Sequence, residues 1–311
     1  MQRIALILLT YNAENDIPHL LPAIKQQTLQ PDTTLIIDSS STDSTMELLA
    51  DYPAMKHTIP AHEFDHGGTR KLATELVDAD IYIYLTQDAY PADEFAFQKL
   101  IDQLNSDSQI GCVYGRQLPK TDATPLSAHL RLFNYPDKSY VRDISDSKRY
   151  GIKTCFNSDS FAAYRKATLE AAGNFPDQIM TAEDMYVAAK MQLQGFKIGY
   201  AADACVYHSH NFSLRQEFHR YFSIGVFHRN EKWIIENFKS ATGEGLRFIK
   251  SELTYLIKNN QWHWIPRALL STVTKFTAYK LGWYENWIPH FIKRRLGINK
   301  AYWKSVKTVT A

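Results

Sequence analysis

Several short stretches of this chain carry residue types that can do chemistry, and each also has a plainer use. Asp38 directly follows the apolar run Thr34 to Ile37. At the end of a strand its carboxylate can accept hydrogen bonds from a nucleobase imide or a ribose hydroxyl; as a turn aspartate it bonds its own backbone. The segment His66-Gly67-Gly68-Thr69-Arg70 puts small residues and backbone amides at a helix start with an arginine one turn in. That combination suits a diphosphate, and a glycine pair before a helix is also a common turn. Thr86-Gln87-Asp88-Ala89 follows the run Ile81 to Leu85, where a single carboxylate can hold a divalent cation bridging two phosphates, or cap a turn. Glu183-Asp184 opens a helical stretch. A carboxylate held there in a cleft can take the proton from an attacking hydroxyl, whereas Thr181-x-x-Asp184 also has the spacing of a helix capping box. His208-Ser209-His210 places two imidazoles on one side of an extended segment, able to complete a metal site with Asp88 or to stand as surface histidines.

The elements that must position these residues alternate. Ile4 to Leu9 reads as a first strand, Asp16 as the cap of a helix carrying Leu20, Leu21 and Ile24 on one face, and Thr34 to Ile37 as a second strand. The turn Asp38 to Asp43 supplies hydroxyls to cap a helix running towards Leu49, another helix begins near Gly68, and Ile81 to Leu85 is a further strand. Phe97, Leu100, Ile101 and Leu104 recur at helical spacing, and Thr181 to Gln194 reads as a helix stopped by Gly195. This pattern predicts an α/β fold with a parallel sheet whose ligands sit at the carboxyl ends of the strands. Residues 111–159 read as less regular, with the polar stretch Pro136 to Lys153 as a substrate-covering loop or mobile insertion.

Composition narrows the function classes. The 311 residues are 45% hydrophobic and 22% charged with a net charge of +2, enough for a large core and too mild a charge for a general nucleic-acid binder. Cys112, Cys155 and Cys205 show no spacing for zinc or redox work, which fits a reducing, cytoplasmic setting. The run Ile4 to Leu9 leads into Asn12, Glu14 and Asn15 and not into a cleavage site, and no stretch reaches the roughly 18 to 20 apolar residues of a spanning helix.

The order of the motifs is more specific than any one of them. Leu8-Leu9-Thr10-Tyr11-Asn12-Ala13-Glu14, then Asp38-Ser39-Ser40-Ser41-Thr42-Asp43-Ser44-Thr45, Leu85-Thr86-Gln87-Asp88-Ala89, Ala182-Glu183-Asp184 and Val206-Tyr207-His208 together resemble family 2 glycosyltransferases. Phe64 to Arg70 and Thr86 to Ala89 look like the rhamnosyltransferase branch, which builds bacterial cell-surface polysaccharides. The resemblance implies a GT-A fold: a Rossmann-like central sheet flanked by helices over residues 1–230, followed by a helical region, 231–311. It assigns Thr10, Asn12, Glu14, Asp38, Arg70, Gln87 and Asp88 to the nucleotide sugar, with Asp38 on the base or ribose and Arg70 on the diphosphate. Asp184 matches the catalytic base, with Glu183 beside it as a supporting or acceptor-binding residue. Asp88, His208 and His210 are the implied ligands of a divalent cation, Mg2+ or Mn2+. One departure stands out: Thr86 occupies the first carboxylate position of the Asp-x-Asp motif. The implied donor is dTDP-β-L-rhamnose, with a UDP-hexose as alternative, and the implied acceptor is a lipid-linked saccharide.

Beyond Asn211 the chain turns aromatic and basic, with Trp283, Trp287 and Trp303 and the run Lys293, Arg294, Arg295, Lys300, Lys304 and Lys307. Such a mixture suits peripheral attachment to an anionic membrane at its inner face, or packing on the catalytic core or on a second copy in a homodimer. Two rival functions stay open. A nucleotidyltransferase would have a Gly-rich basic loop where Thr10 to Glu14 has neither Gly nor Lys; a non-catalytic sugar-nucleotide-binding protein would lack turnover with any acceptor.

Overall fold

The computed structural model describes residues 2–239 and 243–303. Nine runs form strands: β1 Ile4–Thr10, β2 Thr33–Asp38, β3 Met55–Thr58, β4 Ile81–Thr86, β5 Tyr90–Pro91, β6 Ile110–Leu118, β7 Tyr140–Arg142, β8 Phe161–Arg165 and β9 Lys197–Tyr207. The helices of the first two thirds are α1 Ile17–Lys25, α2 Thr45–Leu48, α3 His66–Leu76, α4 Ala96–Asn105, α5 Pro125–Asn134, α6 Ser147–Tyr150, α7 Lys166–Ala171 and α8 Glu183–Leu193. The last third adds α9 Leu214–Asn230, α10 Lys232–Phe238, α11 Glu244–Lys258, α12 Ile265–Trp283 and α13 His290–Leu296.

All nine strands join one sheet in the order β3-β2-β1-β4-β8-β6-β9-β5, with β7 also pairing β9. Strands β3, β2, β1 and β4 are parallel, and β8 runs antiparallel between β4 and β6. Alternation explains why the sheet is covered on both sides. Ala5, Ile7, Leu35, Ile37, Tyr82 and Tyr84 face one core, whereas Leu6, Leu8, Ile36, Ile81, Ile83 and Leu85 face the other. Parallel register then sets Thr10 beside Asp38 and Leu9 beside Thr86, so the polar strand ends expected to converge do so.

Several expectations need correcting. Asp16 stands before α1 without capping it, because its carboxylate instead accepts hydrogen bonds from Tyr90 and Gln87. Ser44 precedes the short α2 with no side-chain cap; Asp43 Oδ1 accepts from the Thr45 amide at 3.1 Å. The helix expected near Gly68 begins at His66, capped by Asp65. Residues 111–159 are largely regular, holding most of β6, all of α5 and β7, and a string of short helical turns. Within them, Pro136 to Lys153 is pinned to the body of the protein. Strand β7 pairs β9, Arg142 donates to the Lys153 carbonyl, and the Gln192 amide donates to the Arg142 and Thr154 carbonyls.

The C-terminal helices pack on the sheet domain through α9, which lies against α12 at backbone contact. A Cβ on Gly282 would sit 2.0 Å from the Phe222 carbonyl oxygen, and one on Gly225 would sit 2.2 Å from that of Tyr279. Only glycine lets two helices approach this closely. The expected division at residue 230 falls at the end of α9, yet α9 is itself shared by both parts. Trp303 is 1% exposed and packs with Met180, Phe222 and Val226, so this ring belongs to the core and to no outer surface. Trp283 is half-buried and Trp287 exposed. Lys304 and Lys307 lie outside the described residues. Among the described residues no helix is long and apolar enough to cross a membrane.

Candidate active site

The carboxyl ends of β1, β2 and β4 open into a cavity of about 730 Å3 whose walls include Thr10, Tyr11, Ser39, His66, Thr86 and Gln87. The loops around it are knitted by the polar residues singled out in the sequence. Asn12 Oδ1 accepts from the Thr42 amide at 2.9 Å, Glu14 Oε2 accepts from the Ser44 amide at 3.2 Å, and the Gln87 side-chain amide pairs with both backbone groups of Tyr11. Asp38 is buried and accepts from the Thr10 hydroxyl at 3.0 Å, the Ser41 hydroxyl at 2.6 Å and the Ser41 amide at 2.8 Å. The turn-aspartate use of Asp38 is therefore present in the structure, and Thr10 and Ser39 on either side of it face the cavity.

The glycine pair and Arg70 also turn out differently from the sequence expectation. The Gly68 amide donates to Asp65, and the space a Cβ would need at Gly67 is filled by the Pro176 carbonyl oxygen, 1.9 Å away. Arg70 is 5% exposed and reaches the cavity wall as a neutralised group, not as an available cation. Its Nε lies 2.9 Å from Asp159 and its Nη1 3.0 Å from Glu183. Burial works against this guanidinium's charge, and the Glu183 and Asp159 carboxylates more than offset it, raising its pKa. Tyr84, buried in the sheet, donates to the Arg70 carbonyl at 2.9 Å and fixes α3 over the strand ends. Asp159 was not legible as a site residue: it sits in the turn before β8, with its carboxyl pushed up to about 6 by burial against the pull of Arg70.

Glu183 and Asp184 begin α8 with different roles. Ala182 precedes them at φ +61° with no side-chain cap, so the capping box that the spacing allowed does not form. A left-handed alanine beside the buried Glu183 and the half-buried Asp184 is a strained arrangement of the sort that collects at functional sites. Glu183 is held low: burial raises its pKa, and the Arg70 charge outweighs that. Asp184 lacks such a partner. Its Oδ1 accepts from its neighbour's amide, Met185 N, at 2.7 Å, while burial and the nearby Asp159 and Glu183 charges push its carboxyl well above the usual range. Two adjacent carboxyls are thereby driven apart, one a fixed anion and the other a stronger base.

Asp88, His208 and His210 come together as anticipated. Their ligand atoms lie within 4.8 Å of one another, with His208 Nε2 3.3 Å and His210 Nε2 3.5 Å from Asp88 Oδ2. Adjacent ligands on an octahedral ion bound at 2.0–2.1 Å are about 3 Å apart, so this set closes on a divalent cation with little movement. Thr86, in place of the missing carboxylate, donates to Asp88 Oδ1 at 2.9 Å and leaves Oδ2 towards the imidazoles. Burial alone would raise the Asp88 pKa, but His208, His210 and Thr86 hold it below the usual range. His210 is pushed down to about 4, mainly by burial, and is neutral and able to ligate at pH 7.

The supporting shell was invisible in the sequence. Gln117 Oε1 faces His208 Nδ1 at 2.9 Å and also accepts from Arg131, while Gln117 Nε2 donates to Ser158 at 2.8 Å. An oxygen accepting from Arg131 must also accept from the imidazole. His208 therefore carries its proton on Nδ1 and keeps the Nε2 lone pair for a metal. Arg220 on α9 is exposed, with its guanidinium carbon 5.8 Å from the Phe212 ring, and forms no ion pair among the described residues. Its charge acts on His66, Glu183 and His210, so it is felt at both the α8 carboxyls and the cation cluster. Lys300, from the far end of the chain, is exposed and lines the large cavity. Asn299 anchors that segment by donating to Asp65 and to the Ile179 carbonyl.

Known proteins resemble this chain in sequence and in fold. The sequence profile of glycosyl transferase family 2 matches residues 5–173. The O-antigen chain rhamnosyltransferase RfbN of Salmonella typhimurium is 48% identical over 307 residues, covering 98% of this chain and 97% of that protein. The O-antigen chain rhamnosyltransferase WbaN of Salmonella anatum is 45% identical over 312 residues, with 99% and 98% covered. A mannosyltransferase from Pyrobaculum calidifontis, solved with GDP-Man and Mn2+, superposes with a TM-score of 0.59 at 18% identity over 99% of this chain and 87% of its own. TarS 1–349 of Staphylococcus aureus with UDP-GlcNAc superposes at 0.55 and 14% identity, with 91% of each chain covered. The chain belongs to glycosyl transferase family 2 and has its GT-A fold. Within that family it is a glycosyltransferase of the rhamnosyltransferase branch.

Proposed function

We propose that the protein transfers L-rhamnose from dTDP-β-L-rhamnose to a hydroxyl of a lipid-linked saccharide, with inversion, during assembly of a bacterial surface polysaccharide. The observation that carries this reading is the pairing of Arg70, a residue of the large cavity's wall, with Glu183 at 3.0 Å, which leaves the neighbouring Asp184 the stronger base of the two α8 carboxyls. Asp184 takes the proton of the acceptor hydroxyl as that oxygen attacks the anomeric carbon, and the bond from that carbon to the diphosphate oxygen breaks. The product is an α-L-rhamnoside and dTDP. Glu183, neutralised by Arg70, keeps the helix start in place and has no proton to move.

Thr10, Asn12, Glu14, Asp38 and Gln87 shape the nucleotide side, partly through the loop bonds they make to one another. Asp88, His208 and His210 would hold the cation, whose chemistry is to neutralise charge on the departing diphosphate. Two imidazoles and one carboxylate favour Mn2+ over Mg2+, which prefers an all-oxygen shell. Because Arg70 is bound by two carboxylates, Arg220 and Lys300 are the cations that meet the phosphates.

The outer face of α12 and α13 is the side that rests on an anionic bilayer at the cytoplasmic face of the membrane. Val273 is 62%, Phe276 64%, Trp287 86% and Phe291 64% exposed. Beside them stand Lys280, Arg294 and Arg295, and the one acidic residue from Ile265 to Trp303 is Glu285, bound to Lys293. Sedimentation with anionic vesicles checks this. Val273→Ser with Phe276→Ser should release the protein, and a vesicle-free dimer lost in the same variant would assign the face to a second copy instead.

The direct test of donor choice compares dTDP-rhamnose, UDP-glucose, UDP-galactose and UDP-N-acetylglucosamine with purified protein, Mn2+ and a lipid-linked acceptor. Turnover of dTDP-rhamnose alone is expected. Preference for a UDP-sugar overturns the donor, and inertness towards all four favours a non-catalytic binder.

A further inference from the structure

A second cavity, of about 550 Å3, shares His210 with the cation cluster. Helix α5 forms one wall and the start of α9 another, and it is closed by Trp264, just before α12, and by Arg267 and Lys275 of α12. The loop bearing His210 is tied to the entrance of α5, because Asn211 accepts from the Thr124 amide at 2.8 Å and donates to the Asp122 carbonyl at 2.9 Å.

The chemistry of this cavity is unlike that of the first. Arg215, Arg267 and Lys275 face it against one carboxylate, Glu217. Glu217 is bound by Arg267 at 3.1 Å, Lys275 at 3.3 Å and the Ser271 hydroxyl at 2.8 Å, so it fixes the two α12 cations in place and leaves an excess of positive charge. The half-buried indole of Trp264 offers a flat apolar face beside them. An aromatic plane suits the C–H face of a sugar ring, and clustered arginine and lysine suit phosphate oxygens.

Helix α12 is organised around this difference. Arg267, Ser271 and Lys275 recur every fourth residue on its inner side, whereas Leu269, Val273 and Phe276 occupy the opposite side and are exposed. A ligand entering here would have its charged part under the helix and the rest beside an apolar surface.

We infer that this cavity is the acceptor site. It holds a saccharide ring against Trp264 and grips, with Arg215, Arg267 and Lys275, the phosphate or diphosphate that joins the saccharide to its lipid. The inference rests on the proposed transfer to a lipid-linked acceptor and adds to it where that acceptor binds and which of its groups is read.

The test titrates geranyl diphosphate and, separately, inorganic pyrophosphate into the full chain already saturated with dTDP and Mn2+, so that the donor cavity is filled. Wild type, Arg215→Glu, Trp264→Ala and the distant surface control Lys258→Glu are compared, with thermal melts to confirm folding. Geranyl diphosphate should bind the wild type and the control, and Arg215→Glu should weaken it at least ~10-fold, the scale of a lost charge-assisted contact. Pyrophosphate binding with the same dependence on Arg215 assigns recognition to the anion and supports the site equally. In transfer assays the two cavity variants should raise the acceptor KM and not the donor KM. Binding of neither probe, or binding indifferent to Arg215, overturns the inference. Absence of glycosyl transfer by the wild type would defeat the parent reading while the titration still reports on the cavity.

Discussion

His208 turns one ring nitrogen to Asp88, 3.3 Å away, and the other to the Gln117 side-chain oxygen at 2.9 Å. This bridging position makes Gln117 a positioning residue for the cation cluster. Gln117→Leu should weaken Mn2+ binding by ~10- to 100-fold, the usual effect of removing such support, while the nucleotide still binds without metal. Titrating Mn2+ into the dTDP-loaded protein measures this; an unchanged affinity would show that the tautomer is set by something else.

Arg70 and Arg220 should separate cleanly. Arg70→Ala strands Asp159 and Glu183 in the interior, so ~3–5 kcal/mol of folding stability should be lost in urea denaturation. Arg220→Ala removes an exposed side chain, and stability should stay within ~0.5 kcal/mol while kcat/KM falls ~10- to 100-fold. If Arg70→Ala folds normally and loses only donor affinity, the diphosphate contact first expected of Arg70 is restored.

The sequence made the sheet edge legible and left its wiring hidden. Asp88, His208 and His210 could be paired in advance because strand-end position and extended His-x-His spacing are local properties that survive folding. Asp38 and Arg70 were harder, because a carboxylate or guanidinium in a motif does not declare which protein groups will bind it first. Asp159, Gln117 and Arg220 belong to no recognisable pattern, and each reaches the site through tertiary structure alone: from the turn before β8, the end of β6 and the first half of α9. The middle region misled for a related reason. Helix α5 buries Ser127 and His129, two polar residues on different sides of the helix, and neither marks a core face in the sequence.

The rate should depend on pH through Asp184. A base works when deprotonated, and its carboxyl is raised by burial and by the Asp159 and Glu183 charges, so the acid limb of kcat should lie above the ordinary carboxylate value of about 4. Asp159→Asn removes one of those charges and should move the limb to lower pH. A limb that stays put in this variant would contradict the coupling.

Helix contact between α9 and α12 should tolerate no added methyl. Gly282→Ala would drive a Cβ against the Phe222 carbonyl oxygen, at 2.0 Å before relaxation, and overpacking of this kind costs about 1–3 kcal/mol. A urea midpoint equal to wild type would mean that the helices can move apart freely, and with them the floor of the second cavity.

On the proposed mechanism, proton removal by Asp184 activates the acceptor for inverting rhamnosyl transfer. It is tested most directly by following dTDP release and the product's anomeric proton by NMR, with dTDP-β-L-rhamnose, Mn2+ and a lipid-linked acceptor, for the wild type and Asp184→Asn. An α-L-rhamnoside from the wild type, with turnover reduced at least ~100-fold and dTDP affinity kept in the variant, is the expected result. A β-linked product, or a variant that turns over at the wild-type rate, would contradict it.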